Sequence, residues 1–168
     1  KSEEDNGKIR GFIIERGTKG LQTNKINGKL SMQSVDTGSI YLSNVDVKKT
    51  SILPNVVGLK GPFSCLNLAR YGICWGVMGA AEDCWFRSYE YGMQRHQFSR
   101  PLAATQLYQK KLVDMQIEIT LGLQACLRLG QLMDSQNATP EMISLLKRNN
   151  CEKALTIARA SRDMHGAN

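Results

Sequence analysis

The spacing of apolar residues changes part-way along the chain. In residues 1–54 they form short runs rich in β-branched side chains, separated by Gly, Asn, Thr and Asp. Such runs predict strands joined by turns, here over residues 8–15, 29–35 and 38–47. A few strands leave sheet edges that need further partners. Residues 1–54 are therefore interpreted as the C-terminal part of a larger antiparallel β-domain.

Residues 55–62 contain Gly and Pro and are predicted to be a linker, after which three segments with a helical period follow. The first segment covers residues 63–94 and includes Gly72, Gly76 and Gly79. Glycine lowers helix propensity by about 1 kcal/mol relative to Ala. We therefore expect neighbouring helices, or a ligand, to approach this helix closely at those positions.

The second segment has the most regular pattern, because its apolar positions recur at alternating spacings of four and three residues. This stripe predicts a long helix packed in a bundle. Its members are Tyr108, Leu112, Met115, Ile119, Gly122, Cys126, Leu129 and Met133.

The third segment opens with an N-cap sequence, Thr139 followed by Pro140 and Glu141. It is predicted to run to Met164 and to end at Gly166. The fold class is therefore α+β: the end of a β-domain, a linker, and three long helices of an incomplete helical-bundle domain over residues 63–168.

Composition excludes several classes of function. The net charge of +7 is spread over pairs of basic residues without an aromatic-interleaved stripe, so a nucleic-acid module is the weakest candidate. The five cysteines are well separated and odd in number, which disfavours a disulfide framework or a zinc site and favours a reducing compartment. No apolar run has membrane-spanning length. The chain begins at Lys1 and not at Met, so we expect that the given sequence starts within a longer protein.

Catalytic motifs are not recognisable. The two histidines, His96 and His165, have no metal-ligand spacing and no motif nucleophile before them. Glycine-rich phosphate loops are missing as well, and carboxylates such as Glu118 fit a solvated helix face.

The segment MQRHQFSRPL, residues 93–102, is unusual for a connection between helices. A guanidinium such as that of Arg95 can hold a diphosphate through two parallel hydrogen bonds. Gln97 can pair with the edge of a base, and Phe98 can lie against its flat face. The structural alternative is that Arg95 caps the first helix and that Phe98 fills the corner between two helices.

The same segment, as QRHQFSRPL, resembles the Arg-x-Gln-Phe-Gly-x-Pro-Leu segment of the acyl-CoA dehydrogenase family. LNLARYGICWGVMGAAEDC, QLYQKKLVDMQIEITLGLQACLRLG and PEMISLLKRNNCEKALTIAR resemble its glutaryl-CoA dehydrogenase branch, and GKLSMQSVDTGSIYLSNVDV resembles the end of that branch's middle β-domain. The resemblance implies an FAD enzyme that converts glutaryl-CoA to crotonyl-CoA by oxidative decarboxylation in lysine and tryptophan degradation. It also implies electron transfer to electron-transfer flavoprotein, a homotetramer and the mitochondrial matrix.

By this resemblance Arg95 would contact the pyrophosphate of an FAD bound mainly by a neighbouring subunit, and Gln97 and Phe98 would frame its adenosine half. The backbones of Gly166 and Ala167 would approach the flavin of the other subunit. These five residues are the expected cofactor-binding residues.

Asn67 and Arg70 match positions that line the acyl-CoA channel, with a surface helix cation as the alternative for Arg70. The sequence departs from the family's pattern at Ala167, usually Gly, at Ser99, usually Gly, and at His165, usually Leu. An arginine is common in this branch at the position of Gln33.

The family's catalytic base is a glutamate in a Tyr-Glu-Gly segment that the resemblance places after residue 168, so no catalytic residue is expected within the chain and it alone is expected to be inactive. Two alternatives stay open. One is another acyl-CoA dehydrogenase or an acyl-CoA oxidase, and the other is a non-catalytic helical paralogue.

Overall fold

A computed structural model describes residues 7–167. The chain forms two compact units, the first ending at Pro62 and the second beginning at Phe63. The combination of helices with small antiparallel strand pairs confirms the predicted α+β class.

The first unit contains four short strands: β1 (Arg10–Phe12), β2 (Leu21–Lys25), β3 (Gly38–Leu42) and β4 (Ile52–Val57). β1 pairs with β4 and β2 with β3, both antiparallel, as two separate two-stranded sheets. All of residues 7–62 are at least partly exposed, and Ile40 in β3 is 70% exposed. The apolar faces of these strands lack a covering layer within the described residues.

The prediction of a strand over residues 29–35 is wrong, because this segment is a loop between β2 and β3. The Lys29 ammonium donates to the backbone oxygen of Met32 (2.9 Å), to Thr37 Oγ1 (2.8 Å) and to the backbone oxygen of Val35. These bonds give the loop's carbonyl groups a partner that a sheet would otherwise supply. β2 was missed because its sequence, LQTNK, has a single apolar residue and no alternation.

The segment predicted as a linker, residues 55–62, is ordered along most of its length. β4 extends to Val57 and the first helix already begins at Lys60, so Gly58 and Leu59 alone lie between the two elements. Gly58 has a φ of 72°, a turn conformation that glycine adopts without steric cost.

Three long helices form the second unit: α1 (Lys60–Gln94), α2 (Gln106–Asp134) and α3 (Pro140–His165). Contacts between them fix their directions. Residues near the start of α1 meet the end of α2, as Tyr71 does at Cys126, while Trp85 meets Leu112, so α1 and α2 are antiparallel. α2 and α3 are also antiparallel, because Lys111 pairs with Asp163 and Glu118 with Lys153. The C-termini of α1 and α3 therefore lie at the same end of the bundle.

The predicted stripe of α2 is confirmed as the core face. Tyr108, Met115, Ile119, Gly122, Cys126 and Leu129 are buried, and Leu112 and Met133 are half-buried. α3 also begins as predicted: Thr139 Oγ1 accepts the Met142 N–H (3.4 Å), Pro140 is the first helical residue, and the helix ends one residue later than expected, at His165. No helix within residues 7–167 is long and apolar enough to span a membrane.

Asn150 on α3 is fully buried where the three helices meet. Its amide nitrogen lies 3.2 Å from the backbone oxygen of Cys74 on α1 and 3.2 Å from Cys126 Sγ on α2, and the Asn149 side chain donates to its oxygen (3.1 Å). Buried amides stabilise a fold only when they are bonded in this way. Asn150 thereby fixes the position of α1, α2 and α3 relative to one another along their axes.

On α2, Gly122 faces Met78 of α1 in close contact, as its place in the apolar stripe predicts, but on α1 the glycine that permits close packing is not one of those predicted. A Cβ atom added at Gly72, Gly76 or Gly79 would meet no atom within 4 Å. At Gly92, by contrast, it would lie 2.7 Å from Tyr108 Cζ, inside van der Waals contact. Tyr108 needs this space because its hydroxyl donates to the backbone oxygen of Ser88 (2.6 Å).

Gly92→Ala is expected to lower the free energy of unfolding of the helical unit by about 1–3 kcal/mol, the usual cost of overpacking. The Tyr108 ring cannot move away without losing its bond to Ser88. Gly76→Ala on the same helix is the control and should raise stability by up to about 1 kcal/mol through helix propensity. Urea unfolding followed by far-UV circular dichroism measures both, and equal effects of the two variants would contradict the packing.

Candidate functional site

The segment 95–102 between α1 and α2 forms a small antiparallel hairpin. Its strands are β5 (His96–Gln97) and β6 (Arg100–Pro101), with Gln97 opposite Arg100. The hairpin is anchored at its base, where the Arg95 N–H donates to the backbone oxygen of Tyr91 (2.8 Å) and the Leu102 N–H donates to the backbone oxygen of Arg95 (2.9 Å). The base of the hairpin therefore continues directly from the last turn of α1.

Phe98 and Ser99 form the two-residue turn of this hairpin with φ values of 54° and 62°. Positive φ at both turn positions is the type I′ geometry, which favours Asn-Gly because a left-handed backbone costs other residues roughly 1–2 kcal/mol each. The chain therefore holds two unfavourable residues at the tip of the hairpin. Such backbone strain is concentrated at functional sites.

The hairpin exposes the side chains that the sequence analysis singled out. Phe98 is 91% exposed, so the alternative in which it fills the corner between helices is wrong. Arg95 and Gln97 are exposed as well. The Arg95 guanidinium forms no hydrogen bond or ion pair with residues 7–167 and is available to an anionic ligand.

The C-terminus of α3 lies at the same end of the bundle. Gly166 follows the helix with φ 69° and ψ −129°, a combination that residues with a Cβ rarely adopt. A Cβ there would meet no atom within 4 Å, so the requirement for glycine is conformational. Ala167 is exposed and is not among the residues with positive φ. Its methyl group is therefore compatible with its own backbone.

A ring contact joins the two segments. The imidazole of His165, the last residue of α3, stacks on Tyr91 of α1 with a centroid distance of 4.6 Å and an interplanar angle of 30°. His165 Nδ1 lies 2.7 Å from the backbone oxygen of Ser161. The Gly166 turn and the hairpin are thus connected through His165 and Tyr91.

A buried polar layer supports this end of the bundle. The Ser88 and Ser161 hydroxyls lie 2.8 Å apart, and the Tyr108 hydroxyl donates to the backbone oxygen of Ser88. Nearby, Lys111 on α2 bonds to Asp163 on α3, and this bond holds the pKa of the Asp163 carboxyl below its usual value. This layer could not be predicted from the sequence, because a serine within a helix carries no signal that it is buried.

Asn67 and Arg70, the predicted substrate-binding residues, lie together near the start of α1. Arg70 Nη1 donates to Asn67 Oδ1 (3.3 Å), and both residues are half-buried. The helix separates Arg70 from Gln94, the residue before the hairpin, by roughly 36 Å at a rise of about 1.5 Å per residue. The structure therefore divides the predicted site residues into two groups at opposite ends of α1.

Other reactive side chains are held in structural roles. Burial raises the pKa of the Cys74 thiol to about 11 and raises that of Cys126, so neither provides a thiolate nucleophile near neutral pH. Glu118 is paired with Lys153 (2.7 Å). Across residues 7–167, no cluster of His, Cys, Asp or Glu could hold a metal ion.

Comparison with known proteins gives a consistent result. The profile of the family "Acyl-CoA dehydrogenase, C-terminal domain" matches residues 58–168. A crystal structure of glutaryl-CoA dehydrogenase from Mycobacterium smegmatis superposes with a TM-score of 0.90 and 39% identity over 94% of this chain and 41% of that one. The same enzyme has a structure in complex with FADH2.

Curated relatives include more than one kind of acyl-CoA dehydrogenase. Glutaryl-CoA dehydrogenase of Desulfococcus multivorans is 31% identical over 113 residues, covering 66% of this chain and 29% of the relative. A probable short/branched chain specific acyl-CoA dehydrogenase of Dictyostelium discoideum is 33% identical over 115 residues, covering 68% and 28%. The chain thus spans less than half the length of the relatives it matches.

Ser99→Gly is expected to stabilise the hairpin, because glycine removes the cost of the left-handed conformation at this turn position. Hydrogen exchange of the Leu102 amide, which closes the hairpin, should slow by up to about fivefold. Ser144→Gly, the same change on the exposed face of α3, is the control and should leave Leu102 exchange unchanged while lowering helix stability. Unchanged Leu102 exchange in Ser99→Gly would contradict a strained turn.

Proposed function

The chain belongs to the acyl-CoA dehydrogenase family, and on that premise we propose that it is the cofactor-clamping and channel-lining part of an FAD-dependent glutaryl-CoA dehydrogenase. The predicted cofactor, FAD, agrees with the family and with the FADH2 complex of the Mycobacterium smegmatis relative. The more specific activity, oxidative decarboxylation of glutaryl-CoA, is supported by the 39% identity to that enzyme.

The observation that carries this proposal is the exposed hairpin. Arg95, Gln97 and Phe98 offer a cation, an amide and a flat ring on one rigid turn, a set that suits a diphosphate joined to an adenine. The Gly166 turn lies at the same end of the bundle and has open space where a side chain would be. FAD bound there would supply the hydride acceptor, while the residues of this chain bind and orient it.

The separation of the two groups of site residues supports a role between subunits. Arg70 and Asn67 lie at one end of α1 and the hairpin lies at the other. We therefore propose that one end of α1 lines the acyl-CoA channel of its own subunit and that the other end clamps the FAD of a neighbour. A homotetramer, electron-transfer flavoprotein as electron acceptor and the mitochondrial matrix as location are parts of the same proposal.

Two alternatives have specific support. The Dictyostelium discoideum relative at 33% identity favours a different acyl chain, and the departures at Ser99, His165 and Ala167 favour a paralogue that has lost the cofactor. Protein made from the complete coding sequence distinguishes them when it is assayed with glutaryl-CoA, butyryl-CoA and a branched short-chain acyl-CoA, with a redox dye as acceptor. Dye reduction with release of CO2 from glutaryl-CoA supports the proposal. Turnover of butyryl-CoA alone favours the first alternative, and protein that does not bind FAD favours the second.

Arg95→Gln is expected to weaken FAD binding by about tenfold or more, the usual loss when a charge-assisted hydrogen bond is removed. Quenching of flavin fluorescence during titration measures the dissociation constant. Arg148→Gln on the exposed face of α3 is the matched control, since it removes the same charge elsewhere. Equal dissociation constants for the two variants would remove Arg95 from the cofactor site.

Ala167→Gly is expected to tighten FAD binding by a few-fold, because the change removes a methyl group from a turn whose backbone is proposed to approach the flavin. The same titration measures this effect. Ala158→Gly, an exposed position within α3, serves as the control and should lower helix stability without changing the FAD dissociation constant. If Ala167→Gly leaves the affinity unchanged, Ala167 does not approach the cofactor.

A further inference from the structure

The contact between His165 and Tyr91 has a geometry that fixes both rings. The rings are stacked at 4.6 Å, and His165 Nδ1 lies 2.7 Å from the backbone oxygen of Ser161. Because a carbonyl oxygen accepts, Nδ1 is the nitrogen that carries the proton in this bond. The imidazole therefore has one orientation, set by α3 itself and by the ring of α1.

Each ring is attached directly to one of the two segments proposed to hold the cofactor. Gly166 follows His165 in the chain, and the backbone oxygen of Tyr91 accepts the Arg95 N–H at the base of the hairpin. Ser161, which holds the imidazole, is itself bonded to Ser88 on α1. Two stacked rings thus connect the Gly166 turn to the last turn of α1, whose Tyr91 carbonyl anchors Arg95.

We propose that His165 is a positioning residue that couples the Gly166 turn to the Arg95–Phe98 hairpin, so that the two segments hold the cofactor as one unit. This inference rests on the proposed function for the cofactor and on the observed contacts for the coupling. A leucine at this position would fill space against Tyr91, but it could neither stack as a flat ring nor donate to Ser161.

The first test needs no ligand. Hydrogen exchange with mass spectrometric detection is measured on protein from the complete coding sequence for the peptides that cover residues 95–102 and 160–167. His165→Leu should accelerate exchange in both peptides by about threefold or more, whereas His165→Phe, which keeps a stacked ring, should keep the hairpin close to wild type. Tyr91→Leu should match His165→Leu, and the double variant should add nothing further. Acceleration confined to residues 160–167 would overturn the coupling.

The second test adds FAD. His165→Leu should raise the FAD dissociation constant by about threefold or more, and His165→Phe, which keeps the stacked ring, should restore most of the affinity. Leu155→Ala, an exposed change on α3, controls for general loosening of the helix.

The two proposals fail in different ways. If Arg95→Gln weakens FAD binding and His165→Leu does not, this inference is overturned and the proposed function stands. If neither variant changes the FAD dissociation constant, both are overturned.

Discussion

The close contact between Tyr108 and Gly92 is the constraint on which the hairpin end of the bundle depends. The phenol of α2 occupies the space that a Cβ at position 92 would need, and its hydroxyl bonds to the backbone oxygen of Ser88 (2.6 Å). Ser88 in turn meets Ser161 on α3. All three helices are therefore held at one level, about one to two turns before α1 ends and the hairpin begins.

This layer explains how an exposed hairpin can be rigid. A free two-residue turn with Phe98 and Ser99 in left-handed conformations would open easily. Here the strands are bonded to α1 through Arg95, and α1 is held to the other helices by Ser88. The strain is stabilised by the bundle, and the tip is left exposed. The same layer orients Ser161, whose backbone oxygen bonds to His165. The residue before the Gly166 turn is therefore held by the same contacts as the hairpin.

The sequence predicts the periodic parts of the fold well, because burial of one helix face imposes a repeat that can be read directly. The α2 stripe and the Thr139-Pro140 start of α3 are examples. It predicts poorly where non-periodic contacts accompany an irregular backbone: residues 29–35 form a loop in which Lys29 bonds to the carbonyl groups, rather than the expected strand. The prediction of which α1 glycines face a neighbouring helix was also wrong. Gly76 and Gly92 lie on the same helix, and the sequence does not show which of them faces a tyrosine.

For the candidate site, the residue types at positions 95–98 predict a ligand-binding loop, since an arginine, an amide and an aromatic ring are unusual in a connection between helices; that role stays a prediction. Their exposure, and the pairing of His165 with Tyr91, required the structure, because both depend on contacts between residues far apart in the chain. The distance between Arg70 and the hairpin required the structure as well, because it depends on α1 being one continuous helix.

A structure of the FAD-bound protein, made from its complete coding sequence, tests the central claim most directly. The distance to measure joins the Arg95 guanidinium to the diphosphate of the cofactor. Our account predicts hydrogen-bond distance, about 2.7–3.0 Å, to an FAD held mainly by the neighbouring subunit, with Phe98 against the adenosine half. A hairpin that points into solvent while FAD is bound elsewhere would contradict it.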